Sequence, residues 1–173
     1  MAPPRSDHDS LYAFGVLLSI AAVFTDGYVQ PDEWFQSAEI GARDALGATI
    51  WTPWEWGGGA DAIEGDARAP PCRSASFPAV AAHAPLYLLR LFWGSGAAAL
   101  ARPRAVAAAV RLWALAWSLA HDVLLERVYR RVGLPPSNVA AALALRRASW
   151  GVWALECRPF SNVYETWGLT VAA

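Results

Sequence analysis

The chain has 173 residues, 55% of them hydrophobic and only 17% charged, with a formal net charge of -1. That is richer in apolar residues and poorer in charge than an average soluble domain, and so small a charge argues against a general nucleic-acid binder. Length alone admits one soluble core, but the apolar residues gather in runs and the charges gather between the runs. All 14 basic residues are arginine, which a GC-rich genome explains as simply as any function.

Residues 1–10 are a short polar segment with Arg5, Asp7 and Asp9. Residues 11–24 are apolar throughout, and Tyr28 extends the run to 11–28, near the ~20 residues that cross a bilayer. A poor cleavage site and further apolar runs favour a retained anchor over a signal peptide. Tyr28 and Trp34 suit the interfacial aromatic belt.

A polar island follows, residues 29–76. Pro31 suits a first helical turn, and Asp32 and Glu33 suit the positive end of the helix dipole. The spacing of Trp34, Phe35 and Ala38 predicts an amphipathic helix on the membrane surface, ending near Gly47. Residues 49–56 read as an extended or turn segment rich in tryptophan. Gly57-Gly58-Gly59 with Asp61, Glu64 and Asp66 reads as a flexible loop.

Apolar runs resume at 77–93, with His83 and Arg90 inside and Pro78 and Pro85 able to start or kink the helix. Residues 94–104 read as a short connection. The run 105–125 contains Arg111 and His121-Asp122, which should face a helix bundle or snorkel, because charge is costly inside a bilayer. Residues 126–136 read as a basic connection. Residues 139–155 are interrupted by Arg146-Arg147, and a further apolar run begins at Trp167 and is cut short, as in a fragment or truncated gene model. The arginines support two topologies. A cytosolic N-terminus puts the island in a lumen but also puts Arg127, Arg130 and Arg131 there, against the positive-inside trend; alternatively, residues 126–147 contain a surface helix. Cys72 and Cys157 have no zinc-type spacing; they could pair if both face an oxidising lumen, but read better as unpaired, partly buried thiols.

The segment Tyr28-Val29-Gln30-Pro31-Asp32-Glu33-Trp34-Phe35-Gln36-Ser37-Ala38-Glu39 resembles the "HPDE-aromatic-FQS-x-E" signature of the GPI mannosyltransferases, in glycosyltransferase family 22. Three more stretches fall in the family's order: Trp54-Glu55-Trp56; Cys72-Arg73-Ser74 with Phe77-Pro78; and Arg158-Pro159-Phe160-Ser161-Asn162-Val163-Tyr164-Glu165. Four motifs in register are far more specific than any one. The resemblance covers nearly all of this chain but only the family's N-terminal part. It implies an all-α polytopic membrane protein of the GT-C type, in the endoplasmic reticulum, with a lumenal catalytic loop at 29–76 between the first two spans and further spans over 77–173. It also implies a dolichyl-phosphate-mannose donor, a GPI glycolipid precursor as acceptor, ER membrane lipid as surroundings, and no cofactor. Among family members the motifs look most like those of enzymes adding the fourth mannose; third-mannose and N-glycan-precursor enzymes are the rivals. One departure is Gln30, where the family has histidine: glutamine still hydrogen-bonds but does not titrate near neutral pH.

The implied reaction inverts at the sugar carbon. Asp32 is the candidate general base, and Glu33 is the other candidate base or an acceptor-positioning group. Arg73 and Arg158 are candidates to neutralise the departing phosphate, since a guanidinium matches it bidentately. Gln30, Glu55 and Asn162 are the remaining candidate substrate contacts. Each has a plainer reading. Asp32 and Glu33 could simply favour a helix N-terminus, by a few tenths to ~1 kcal/mol. Glu55 could cap, Arg73 could snorkel, and Ser161, Asn162 and Glu165 could bond at a helix start. Trp34, Phe35, Trp54 and Trp56 read better as interfacial anchors than as sugar platforms, and His83 and His121 better as bundle-lining side chains than as ligands. No metal cluster is expected. The two competing assignments are a truncated, inactive membrane protein, which Gln30 and the early stop favour, and a soluble helical domain, which the long uncharged runs disfavour.

Overall fold

The computed structural model describes residues 7–27, 34–50 and 76–172, the side chains of residues 35, 36, 161 and 162 excepted. Every regular element among them is a helix. The chain divides into two units: residues 1–29 with 111–173, and residues 30–110.

In the first unit, α1 (Asp7–Val23) begins four residues before the apolar run and stops at Val23, leaving residues 24–27 as a non-helical tail. Its 17 residues fall a little short of the ~20 that span a bilayer. The long helix α5 (Pro103–Arg131) contributes its residues from 111 onward. Twenty-nine residues at 1.5 Å rise make it roughly 43 Å long. It is the one helix among the described residues that is long and apolar enough to cross a membrane. It also absorbs much of the expected basic connection: the helix runs through Arg127, Arg130 and Arg131, with Arg130 bonded to Glu126 one turn back. The turn is only residues 132–135, where Gly133 takes a φ of 86° that other residues resist.

The expected run 139–155 is two helices, α6 (Pro136–Ala148) and α7 (Trp150–Leu155), broken at Ser149, whose ψ of 140° is extended. Neither has spanning length. The final helix is α8 (Ser161–Ala172). α1 packs chiefly on α6, and Gly15 is the closest point: a Cβ there would collide with the carbonyl of Arg147.

The second unit is built on α2 (residues 34–46), α3 (residues 76–93), α4 (Gly96–Leu100) and the start of α5. α2 is a helix where the sequence predicts one, and it ends where the sequence predicts. Gly47 adopts φ 75° and bonds back to Arg43, while Ala48 N–H reaches Ala42 O at 3.2 Å, closing the C-terminus in a Schellman-type turn. Within α2, residues 34–38 and 42–46 are wound with the wider π-helical pairing. α3 carries a similar π-helical turn over Ala79–His83, immediately before Pro85. Proline has no N–H for the usual i−4 carbonyl, and the wider turn takes up the mismatch.

The core of this unit consists of Ala38, Ala45, Leu46, Ala82, Leu86, Ala99, Val106 and Val110, with Trp34 and Trp93 packed at its edge. Four alanines let the helix backbones approach closely. Gly41 against Ala82 and Gly96 against the Leu46 backbone leave no room for a Cβ. α3 also closes the end of α2: Arg90 donates to Ala45 O at 3.1 Å and Tyr87 to Asp44 O at 3.4 Å. Arg90, an interruption in the apolar pattern, thus satisfies one of the carbonyls that a helix end leaves open.

Candidate functional site

Of the residues assigned roles from the sequence, Gln30, Asp32, Glu33, Glu55 and Arg73 lie outside the described residues, as does Cys72. Asn162 lies in the first turn of α8, its side chain outside the description. Arg158 is described, and it is buried. It sits just after α7, its Nε donating to Ala154 O at 3.1 Å and its Nη2 to Thr25 Oγ1 at 3.0 Å. Cys157 beside it is also buried, its thiol donating to Trp153 O at 3.4 Å.

Thr25 belongs to the tail that leads in sequence to the Tyr28–Glu39 motif, and a second arginine holds the same tail. Arg111, only 2% exposed, donates to Val23 O at 3.3 Å, to Thr25 O at 2.7 Å and to Gly27 O. The last carbonyls of a helix carry partial negative charge and lack helical partners. Arg111 supplies both the charge and the donors. Gly27, with φ 79°, turns the chain in a conformation that a side chain would resist. Arg111 and Arg158 therefore clamp residues 23–27, the lead-in to the motif carboxylates.

A second polar centre lies among α1, α5, α6, α7 and α8. Arg147 is fully buried, its Nε donating to Asp122 Oδ2 at 2.8 Å and its Nη2 to the same oxygen; it also donates to Ser118 Oγ at 3.1 Å and Ser118 O at 3.0 Å. Arg146 donates to Asp122 Oδ1 and Glu156 Oε2. Tyr12 donates to Asp122 Oδ2 at 2.8 Å and Ser118 to Glu156 Oε2 at 2.6 Å. His121 joins through Nδ1, 3.1 Å from Arg146, and Nε2, 2.8 Å from Thr170 Oγ1. Two guanidiniums face two carboxylates, so the cluster is charge-balanced, as burial of ions requires. The sequence-based expectation that Arg111, His121 and Asp122 face a bundle is met. The pairing of Arg146 and Arg147 with Asp122 and Glu156 was not anticipated. Its one sequence signal is that both kinds of charge interrupt apolar runs. A cavity of about 390 Å³, lined by Asp9, Tyr12, Asp122, Glu126, Arg130 and Leu143 among others, opens onto the Asp122 side.

His83, also read as structural, lies 3.2 Å from Asp44 and edge-on to the Tyr87 ring. In the second unit a smaller cavity of about 280 Å³ lies along α2, lined by Trp34, Ala38, Glu39 and Ala42, with Leu100, Pro103, Val106 and Ala107 opposite. Burial alone pushes the Glu39 carboxyl above the ordinary glutamate range. Glu39 is part of the Tyr28–Glu39 motif, but it is not among the candidate site residues read from the sequence. Among the described residues no group of three or more His, Cys, Asp or Glu side chains could hold a metal ion.

An arginine-clamped lead-in to an acidic, aromatic motif, in an apolar chain whose described elements are all helices, is accompanied by direct kinship. The profile of the Alg9-like mannosyltransferase family matches residues 10–173, and the chain belongs to that family. One similar relative is human GPI alpha-1,2-mannosyltransferase 4, 33% identical over 152 residues. The match takes in 85% of this chain and 24% of that protein, so the chain spans about a quarter of its relative's length. No solved structure matches.

Proposed function

We propose that the chain supplies the carboxylate-bearing part of a membrane mannosyltransferase of the endoplasmic reticulum, which moves mannose from dolichyl-phosphate-mannose to a GPI glycolipid precursor. The observation that carries the reading is the family match over residues 10–173, with the acidic motif at Tyr28–Glu39 in register. The name of the human relative, GPI alpha-1,2-mannosyltransferase 4, favours the fourth-mannose step over the third.

In this reading the acceptor hydroxyl oxygen attacks the mannosyl C1. The C1–O bond to phosphate breaks, the hydroxyl proton passes to Asp32, and dolichyl phosphate departs with the bonding pair. Glu33 orients the acceptor or shares the proton. No sugar–enzyme bond forms, unlike in a retaining glycosidase. Arg73 and Arg158 offset the charge on the departing phosphate. For Arg158 the support is its contact with Thr25, seven residues before Asp32. Gln30, Glu55 and Asn162 contact substrate, and the lipid-linked sugar serves as substrate with no separate cofactor.

Membrane residence is supported by α5 and by large apolar side chains that remain outside: Phe92 is 81% exposed and Leu91 77%. Patches of that kind mark lipid- or partner-facing surface. Multiple spans and a lumenal island at 29–76 belong to this same proposal. A second reading, a non-catalytic membrane protein, is favoured only by Gln30. Complementation of cells lacking fourth-mannose transfer, with the natural full-length protein carrying these residues, separates the two: restored GPI side-branch mannose supports transfer, and none supports the second reading.

A further inference from the structure

We propose that the Trp34–Glu39 cavity is the subsite that holds the neutral sugar ring of the acceptor, with Glu39 as a specificity-determining residue. This rests on the mannosyltransferase reading and extends it to residues that reading leaves without a role.

The cavity is lined almost wholly by carbon: three alanines, Leu100, Pro103, Val106 and the Trp34 indole. At about 280 Å³ it lies just below the about 300–1,000 Å³ of ligand pockets. That suits one ring rather than a long prenyl chain with its phosphate. Among the described residues its one ionisable lining group is Glu39, whose carboxylate forms no hydrogen bond or ion pair with the others. A carboxylate in an apolar wall without donors is costly, and a ligand that brings hydroxyl donors recovers that cost.

The pairing of chemistry is what a hexose offers. Its hydroxyls donate to a carboxylate, and its carbon-bound hydrogens form an apolar face that packs on an indole. Trp34 and Glu39 are five residues apart, and the π-helical winding of residues 34–38 brings both onto the wall of the same cavity. The sign of the charge selects between the two substrates. The donor carries its sugar on an anionic phosphate, and among the described residues no cation lines this cavity to receive it. A carboxylate repels that phosphate and tolerates a neutral acceptor sugar. Asp32, the candidate base, is only two residues before Trp34 in the chain. A ring held on α2 therefore has its hydroxyls delivered by the same helix that follows the base.

The test uses the natural full-length protein in proteoliposomes, with dolichyl-phosphate-mannose as donor and octyl α-D-mannoside as acceptor probe. Glu39→Gln and Trp34→Leu are each expected to raise the acceptor KM by about tenfold or more, the size of a lost hydrogen bond to a charged group, while donor KM and kcat hold. Should either variant fold poorly, Ala107→Leu fills the cavity from the opposite wall and is expected to raise acceptor KM in the same way. Unchanged acceptor KM in well-folded variants, or a rise in donor KM of the same size, overturns the subsite and assigns the cavity to a lipid chain or another segment. Absence of transfer by the wild-type protein overturns the mannosyltransferase reading itself, and the subsite with it.

Discussion

Arg147 binds Asp122 through two of its nitrogens, and both side chains are almost wholly withdrawn from the surface, at 0% and 2% exposure. The pair joins α6 to α5, and Tyr12 adds α1 through the same carboxylate. Removing one partner strands the other charge in a low-dielectric interior. Asp122→Ala is therefore expected to destabilise the fold by about 3–5 kcal/mol. Replacing both residues with apolar ones, Asp122→Leu with Arg147→Met, is expected to recover much of that loss, though Arg146 retains a claim on Glu156. Thermal unfolding of the single and double variants in one detergent checks both statements.

Gly15 makes a simpler prediction. A Cβ at this position meets the backbone of Arg147, which cannot rotate away as a side chain tip could. Gly15→Ala is expected to cost about 1–3 kcal/mol through overpacking, despite alanine's better helix propensity. Gly151 and Gly168 have open space, and alanine there is expected to be neutral or stabilising. A lowered melting temperature for Gly15→Ala alone confirms the contact between α1 and α6.

Arg111 holds three carbonyls of residues 23–27, those of Val23, Thr25 and Gly27. Arg111→Met should loosen that tail and misplace the chain that leads to Asp32. The expected outcome is a fall in kcat of tenfold or more, in line with the ~100-fold that a 1 Å misplacement can cost. Lysine at 111 should restore only part, because it cannot fork across three acceptors. Transfer assays on Arg111→Met and Arg111→Lys, with melting points alongside, separate lost positioning from lost folding.

The Glu39 carboxyl titrates above its ordinary value of 4.5 because burial disfavours its charged form. The folded state thus holds its proton to higher pH than the unfolded chain does. Stability contributed by this group is greatest below the unfolded value and declines as pH rises through the window up to the raised folded value. Glu39→Gln should remove that decline and stabilise the protein at neutral pH relative to wild type. Melting temperature measured from acid to neutral pH in both forms checks the sign.

What could be read from the sequence follows from what is local. The end of α2 at Gly47 was legible because a glycine after an amphipathic stretch is a local stop signal. The acidic motif and its family were legible because they lie in consecutive residues. The break at Ser149 was not, since the apolar pattern runs across it and the nearby Gly151 lies past the break, inside α7. Nor was the role of Arg146 and Arg147. A pair of arginines inside an apolar run reads equally as snorkelling or as buried. The partners that decide between these, Asp122 and Glu156, are 25 and 10 residues away. The π-helical turns of α2 likewise follow from packing, and they alter which residues share a face. Trp34, expected to be only an interfacial anchor, lines a cavity with Glu39 for that reason.

The central claim is that Asp32 takes the proton from the acceptor hydroxyl as the lipid phosphate leaves. Its most direct measurement is the rate of mannose transfer from dolichyl-phosphate-mannose by the natural full-length protein and its Asp32→Asn variant, matched for melting temperature. The account predicts loss of transfer by about 100-fold or more in Asp32→Asn, as for removal of a general base, with donor binding retained. Transfer at the wild-type rate by a folded Asp32→Asn protein would contradict it.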